Sequence, residues 1–129
     1  MGLSQYDEGY PYLTSWTLDE SSGTFPQEST SNDVGPSRLD SIYLTSDAAA
    51  DHDVKVELYA GSSYPLGVHT IPAGAGMSPT VPVYDLLAAV RAMGIADVVL
   101  PAKAFFRLTA VVALDSGETI TFLGMGGTL

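Results

Sequence analysis

The sequence predicts an all-β chain: a single sandwich or jelly-roll-like domain with one short helix and an extended N-terminal arm. Three observations predict it. Apolar and polar residues alternate with period two through most segments after Arg38, as they do in strands with one buried face. Gly, Pro, Asn and Asp interrupt those segments at short intervals, as turns require. Only Asp85–Met93 departs from alternation toward helical spacing.

The chain has 129 residues, 46% of them hydrophobic and 16% charged. That composition excludes wholesale disorder, and the length suffices for one core that buries about two-thirds of the unfolded surface.

Residues 1–37 read as the arm and residues 38–129 as the sandwich. The arm is dense in Gly, Ser, Thr and Pro, yet it holds Tyr6, Tyr10, Tyr12, Trp16 and Phe25, five of the chain's twelve aromatic residues. A solvated linker is poor in such side chains, each worth about 1.5–3 kcal/mol when desolvated. Two placements stay open. The arm docks on a neighbouring chain through these five residues, or it packs on its own domain with Tyr12–Leu18 as a first strand.

In the sandwich, Leu39–Ser46 alternates with Ile42 and Leu44 on one face and Ser41, Tyr43 and Thr45 on the other. Asp53–Ala60 follows with Val54, Val56, Leu58 and Ala60 inward, and Asp47–His52 reads as a hairpin connection between the two. Asp85–Met93 has Leu86, Val90 and Met93 on one helical stripe, Asp85 as N-cap and Gly94 as stop. A helix this short depends on packing, and it is expected to cover one open end of the sandwich.

Ile71-Pro72-Ala73-Gly74 and Leu100-Pro101-Ala102-Lys103 share an apolar-Pro-Ala-turn form, and proline marks where strands begin or edges end. The last part reads as a long hairpin. Phe106, Leu108, Ala110, Val112 and Leu114 form one face, Asp115-Ser116-Gly117 the turn, and Glu118–Met125 the return with Ile120 and Phe122 inward.

Charge narrows the function. Five Lys and Arg face fifteen Asp and Glu, a net charge of -10, and residues 1–37 contain no cation. Nucleic acid and anionic membrane surfaces are therefore excluded as partners. There is no run long and apolar enough to span a bilayer, and the start, Met1 to Glu8, lacks the features of a signal peptide. Cysteine is absent, which removes disulfides, thiolate nucleophiles and Cys-ligated zinc.

Candidate chemistry is sparse. Asp51-His52-Asp53 offers a metal site only in outline, since consecutive strand residues point to different sides. His69 has no carboxylate nearby in sequence, and no G-x-S-x-G spacing supplies a nucleophile. Ala73–Pro79 is glycine-rich but is neither a dinucleotide nor a phosphate loop, and it reads as a flexible surface loop. Asp19-Glu20-Ser21-Ser22-Gly23 reads as a solvated acidic turn, with weak calcium binding as the alternative. Lys103 and Arg107 fall on one side of a strand and suggest an inter-subunit ion pair or a solvated face. No catalytic residue, cofactor or metal is expected.

Residues 38–129 resemble small β-sandwich structural proteins of tailed bacteriophages. The resemblance rests on Leu39-Asp40-Ser41-Ile42-Tyr43-Leu44-Thr45-Ser46, on Val54-Lys55-Val56-Glu57-Leu58-Tyr59, and on the ending with Leu100-Pro101-Ala102, Phe106-Arg107-Leu108, Gly117-Glu118-Thr119-Ile120-Thr121 and Gly126-Gly127. It implies a capsid decoration (cement) protein, a homo-oligomer of trimeric type that binds the major capsid protein on the virion exterior after assembly in a host cytoplasm. The alternative is a tail, neck or fibre-associated module, with Tyr59, Tyr64 and Tyr84 as stacking platforms for a host glycan.

Overall fold

The computed structural model describes residues 11–32, 35–95 and 98–128, with the side chains of Pro11 and Tyr12 outside that description. Two antiparallel sheets make up the fold. The strands are β1 (Pro11–Leu18), β2 (Gln27–Glu28), β3 (Ser37–Ser46), β4 (His52–Tyr59), β5 (Ser63–Ile71), β6 (Tyr84–Asp85), β7 (Val98–Leu100), β8 (Phe105–Ala110) and β9 (Ile120–Thr128). One sheet has the order β1-β9-β3-β6, with β7 also paired to β3; the other runs β2-β8-β4-β5.

Alternation decides what lies between them. Leu18, Ile42, Leu44, Ile120 and Phe122 of the five-stranded sheet are buried, as are Val54, Val56, Ile71, Phe106 and Leu108 of the four-stranded sheet. Phe106 and Phe122 meet across the interface with ring centroids 5.0 Å apart. The sandwich expected from the sequence is therefore present; among the described residues it is all-β but for one short helix and a single 3-10 turn.

The helix, α1, spans Leu86–Ala92 and packs against β3. Asp85 caps it as expected, accepting from the Ala88 amide at 3.0 Å, and Gly94 takes the left-handed conformation just beyond. Its buried residues are Leu86, Leu87 and Val90, whereas Met93 is exposed. The stripe is thus one position different from the expected one, because the helix ends before Met93.

Three expectations of connectivity are corrected. First, the long C-terminal hairpin does not form: β8 and β9 belong to different sheets. Phe106, Leu108, Ala110, Ile120 and Phe122 all point inward as alternation requires, but the strand stops at Ala110 and Val112 is 67% exposed. The Asp115–Gly117 turn exists, with the Glu118 amide donating to Asp115 O, yet it turns a corner between sheets. The large inward side chains explain why: Phe106 and Phe122 fill the core by facing each other, which neighbours in one sheet cannot do.

Second, Asp47–Asp51 also carries the chain from one sheet to the other, since β3 and β4 do not pair. Third, no boundary falls at Ser37–Arg38. β3 begins at the buried Ser37, and residues 11–32 are part of the domain. β1 pairs with β9 from Pro11↔Gly127 to Leu18↔Ile120, and β2 pairs with β8. The reading of Tyr12–Leu18 as a first strand is the one this part of the structure follows. Thr14 and Leu18 are buried there, and a segment that fills core positions cannot also be a free arm.

Candidate functional site

The aromatic residues singled out for contact are placed as follows. Trp16 lies on β1, opposite Phe122, at the edge of the five-stranded sheet, and is 40% exposed. Phe25 sits between the 3-10 turn at Glu20–Ser22 and β2, and is 74% exposed. Tyr6 and Tyr10 lie outside the described residues, and so does the side chain of Tyr12. Trp16 lines a shallow hollow with Ser15, Thr17 and Thr30.

The backbone under these rings is fastened at both ends. Thr14 Oγ1 donates to Thr30 O at 2.6 Å, and the Ser15 amide donates to Thr30 Oγ1 at 3.3 Å. Ser29 exchanges two hydrogen bonds with Phe106: its amide donates to Phe106 O, and its hydroxyl accepts from the Phe106 amide at 2.9 Å. Residues 11–32 therefore lace the edges of the two sheets together and hold Trp16 and Phe25 out on a fixed support.

The outer faces of the two sheets differ in charge, which the sequence reading did not find. On the four-stranded sheet Asp53, Lys55 and Glu57 of β4 point outward beside Arg107 of β8 and Glu28 of β2. On the five-stranded sheet the outward positions of β1 are Leu13, Ser15 and Thr17. Next to them on β9 stand Met125, Leu123 and Thr121, and beyond on β3 come Ser41, Tyr43 and Thr45. None of these nine is charged. The outward residues of β3 and β9 were legible from alternation; that β1 completes the same face depends on its pairing with β9.

Arg107 is engaged within its own chain. Its guanidinium pairs within the chain to Glu28 Oε2 at 3.3 Å and lies 4.8 Å from the Tyr59 ring, itself stacked on Phe105 at 5.0 Å. Lys103 is not beside it on a strand; it occupies the turn before β8 with a positive φ of 69°.

The histidines are structural. His69 is buried, with Nε2 2.6 Å from Leu66 O and Nδ1 2.8 Å from the Tyr84 hydroxyl. Burial pushes the Tyr84 phenol up from its usual pKa. His52 Nε2 approaches Glu118 Oε1 at 3.6 Å. Glu118 also accepts from the amides of Ala49 at 2.9 Å and Asp115 at 3.0 Å, and these bonds hold its carboxyl below the usual range.

Tyr59, Tyr64 and Tyr84 do not converge on one platform. Tyr59 is stacked on the four-stranded sheet, Tyr84 is hydrogen-bonded to His69, and Tyr64 is exposed on β5.

Asp19 is the N-cap of the 3-10 turn, with its carboxylate accepting from the Ser21 hydroxyl at 2.5 Å and the Ser22 amide at 3.2 Å. The Ser21 bond is the chief reason its pKa is lowered. The glycine-rich segment is not loose: Ala75 is fully buried and its carbonyl accepts from the Ser46 amide at 2.9 Å. Among the described residues, no group of three or more His, Cys, Asp or Glu is placed to hold a metal ion.

Comparison with known proteins adds no relative. No family model matches this chain, and no curated protein or solved structure matches it either. Among the described residues no helix is long and apolar enough to cross a membrane.

Proposed function

We propose that this chain is a non-enzymatic structural protein of a virion, a capsid decoration protein that bridges and stabilises major capsid subunits on the outer shell. The observation that carries the reading is the exposure of Trp16 and Phe25, 40% and 74%, on a support without Lys or Arg that is bonded into both sheets. Rings held in this way bind with little ordering cost. Repeated over a symmetric shell, a modest contact per copy sums to tight attachment. The excess of carboxylates suits a position outside the shell, away from packaged nucleic acid.

Particles of the encoding phage, stripped of this protein and mixed with the purified chain, test the reading. Electron microscopy is expected to find the chain at icosahedral positions on the head, with heat resistance of the particle restored. Removing both rings (Trp16→Ser with Phe25→Ser) forfeits about 3 kcal/mol or more of apolar burial. Binding is then expected to fall by roughly a hundred-fold or more. Undiminished binding of that variant, or occupancy of the tail alone, overturns the proposal, and the second outcome establishes the tail-module alternative.

A further inference from the structure

We infer that the outer face of the five-stranded sheet packs against the same face of a second copy of this chain, forming a two-fold dimer. The inference does not rest on the decoration reading. It starts from an imbalance: each copy carries a net charge of -10, yet the face centred on Leu123 carries no charge across β1, β9 and β3. Leu13 is 58% exposed there and Met125 39%, with Leu123 and Tyr43 half-buried between them. Among the described residues, charge stands only at the margins of this face, where Arg38 is paired to Asp40 at 3.3 Å and Asp85 is turned to the helix amide of Ala88.

The occupant follows from what this face can recognise. A basic protein, a nucleic acid or an anionic lipid surface is attracted by charge, and the face offers none. A second copy is repelled by the carboxylates on the rest of the surface, but two of these faces can meet without placing carboxylate on carboxylate. Flat sheet faces stack about 10 Å apart with strands nearly aligned. A face that meets itself is isologous and closes with two copies rather than three.

The contact is small. Three strands spaced about 4.8 Å apart and roughly 26 Å long cover about 370 Å² per copy. That falls below the roughly 800 Å² per partner of a stable complex and sets a weak, reversible dimer. Two copies of like charge repel, and salt shortens the range of that repulsion from about 10 Å at 0.1 M to about 3 Å at 1 M. Dimerisation therefore strengthens as salt rises, opposite to a charge-driven partner.

Sedimentation velocity on the purified full chain, from micromolar to millimolar concentration at low and high sodium chloride, tests this. A monomer–dimer equilibrium is expected, tighter at high salt. Leu123→Glu and, separately, Leu13→Glu are each expected to weaken it at least about ten-fold, with circular dichroism unchanged. Val68→Glu, an exposed position on the opposite sheet, is expected to leave it intact. A monomer under all conditions, a trimer, weakening by salt, or a folded Leu13→Glu variant that associates like the parent overturns the inference. None of these results touches the decoration reading, because particle binding is assigned to Trp16 and Phe25.

Discussion

The Tyr84 hydroxyl and His69 Nδ1, 2.8 Å apart, tie β6 of one sheet to β5 of the other. Leu66 O, 2.6 Å from Nε2, can only accept, so Nε2 carries a proton and donates it there, while Nδ1 and the Tyr84 hydroxyl share the second hydrogen bond. His69 is buried and Tyr84 partly so, and breaking the link leaves the buried ring nitrogen unpaired. His69→Ala is expected to cost about 2–4 kcal/mol in urea unfolding, and Tyr84→Phe about 1 kcal/mol. Their double variant should lose less than the sum, by about 0.5–1.5 kcal/mol of coupling. Additive losses would show that the two rings act independently.

Tyr84 also predicts behaviour in alkali. Burial raises its pKa, so the folded state holds the phenol proton more tightly than the unfolded state does. The associated stability is complete below the ordinary tyrosine pKa of about 10 and is lost as pH rises through the raised value. Ultraviolet titration should show a tyrosine ionising above the ordinary value of about 10, absent from Tyr84→Phe. Tyr84→Phe should also flatten the fall in melting temperature above about pH 10.

Alternation placed Ile42, Leu44, Val54, Val56, Phe106, Leu108, Ala110, Ile120 and Phe122 inward, and all are buried, because period two is set by the backbone; it gave no signal for the buried polar residues Thr14, Ser37, Ser46 and His69. It did not identify the sheet to which each strand belongs. Phe106 and Phe122 read equally well as neighbours in one hairpin or as opposites across a core; only the packing of both rings selects the second. The same limit hid the uncharged face, since Leu13, Leu123 and Tyr43 share it only once β1 pairs with β9. Trp16 and Phe25 were legible as aromatics out of keeping with their surroundings, but their support was not, because the bonds from Thr30 and Ser29 come from residues with no apolar pattern.

The end of β8 at Ala110 makes Val112 a test of the corner. As the fourth inward position of a hairpin, its loss would cost about 2 kcal/mol or more. At 67% exposure, Val112→Ser is expected to change stability by no more than about 0.5 kcal/mol. Leu108→Ser, two inward positions earlier and fully buried, serves as the contrast and is expected to unfold or severely destabilise the chain. Comparable losses at the two sites would restore the hairpin.

Glu118 joins the two crossovers at one end of the sandwich, bonding Ala49 of one and Asp115 of the other. Its carboxyl is held below the usual range, so the folded state favours the charged form. The resulting stability is present above the ordinary glutamate pKa of about 4.3 and is lost as pH falls through the lowered value. Glu118→Gln should therefore reduce stability at neutral pH and shrink the difference from the parent in acid. Melting temperatures between neutral pH and about pH 3 check this; a constant difference would show that proton linkage is not involved.

Gly126 occupies a place on β9 that only glycine fits. It pairs with Leu39 of β3, where the register shifts by one residue at Asp40, and the bulge draws the β3 backbone toward β9. A Cβ on Gly126 would land on the Arg38 carbonyl, a backbone atom that cannot move without opening the sheet. At Gly124, two residues earlier, a Cβ would instead meet Thr14 Cγ2 at 3.0 Å and Leu39 Cδ1 at 3.4 Å. Those are side-chain atoms, and a small rotation relieves them. Gly124→Ala is expected to cost about 1–2 kcal/mol and Gly126→Ala about 3 kcal/mol or more, read as a shift in urea midpoint. Equal losses would mean that β3 and β9 separate readily at the bulge. A clearly larger loss for Gly126→Ala than for Gly124→Ala locates the sequence requirement in the close approach of the two backbones, and explains why no side chain serves there.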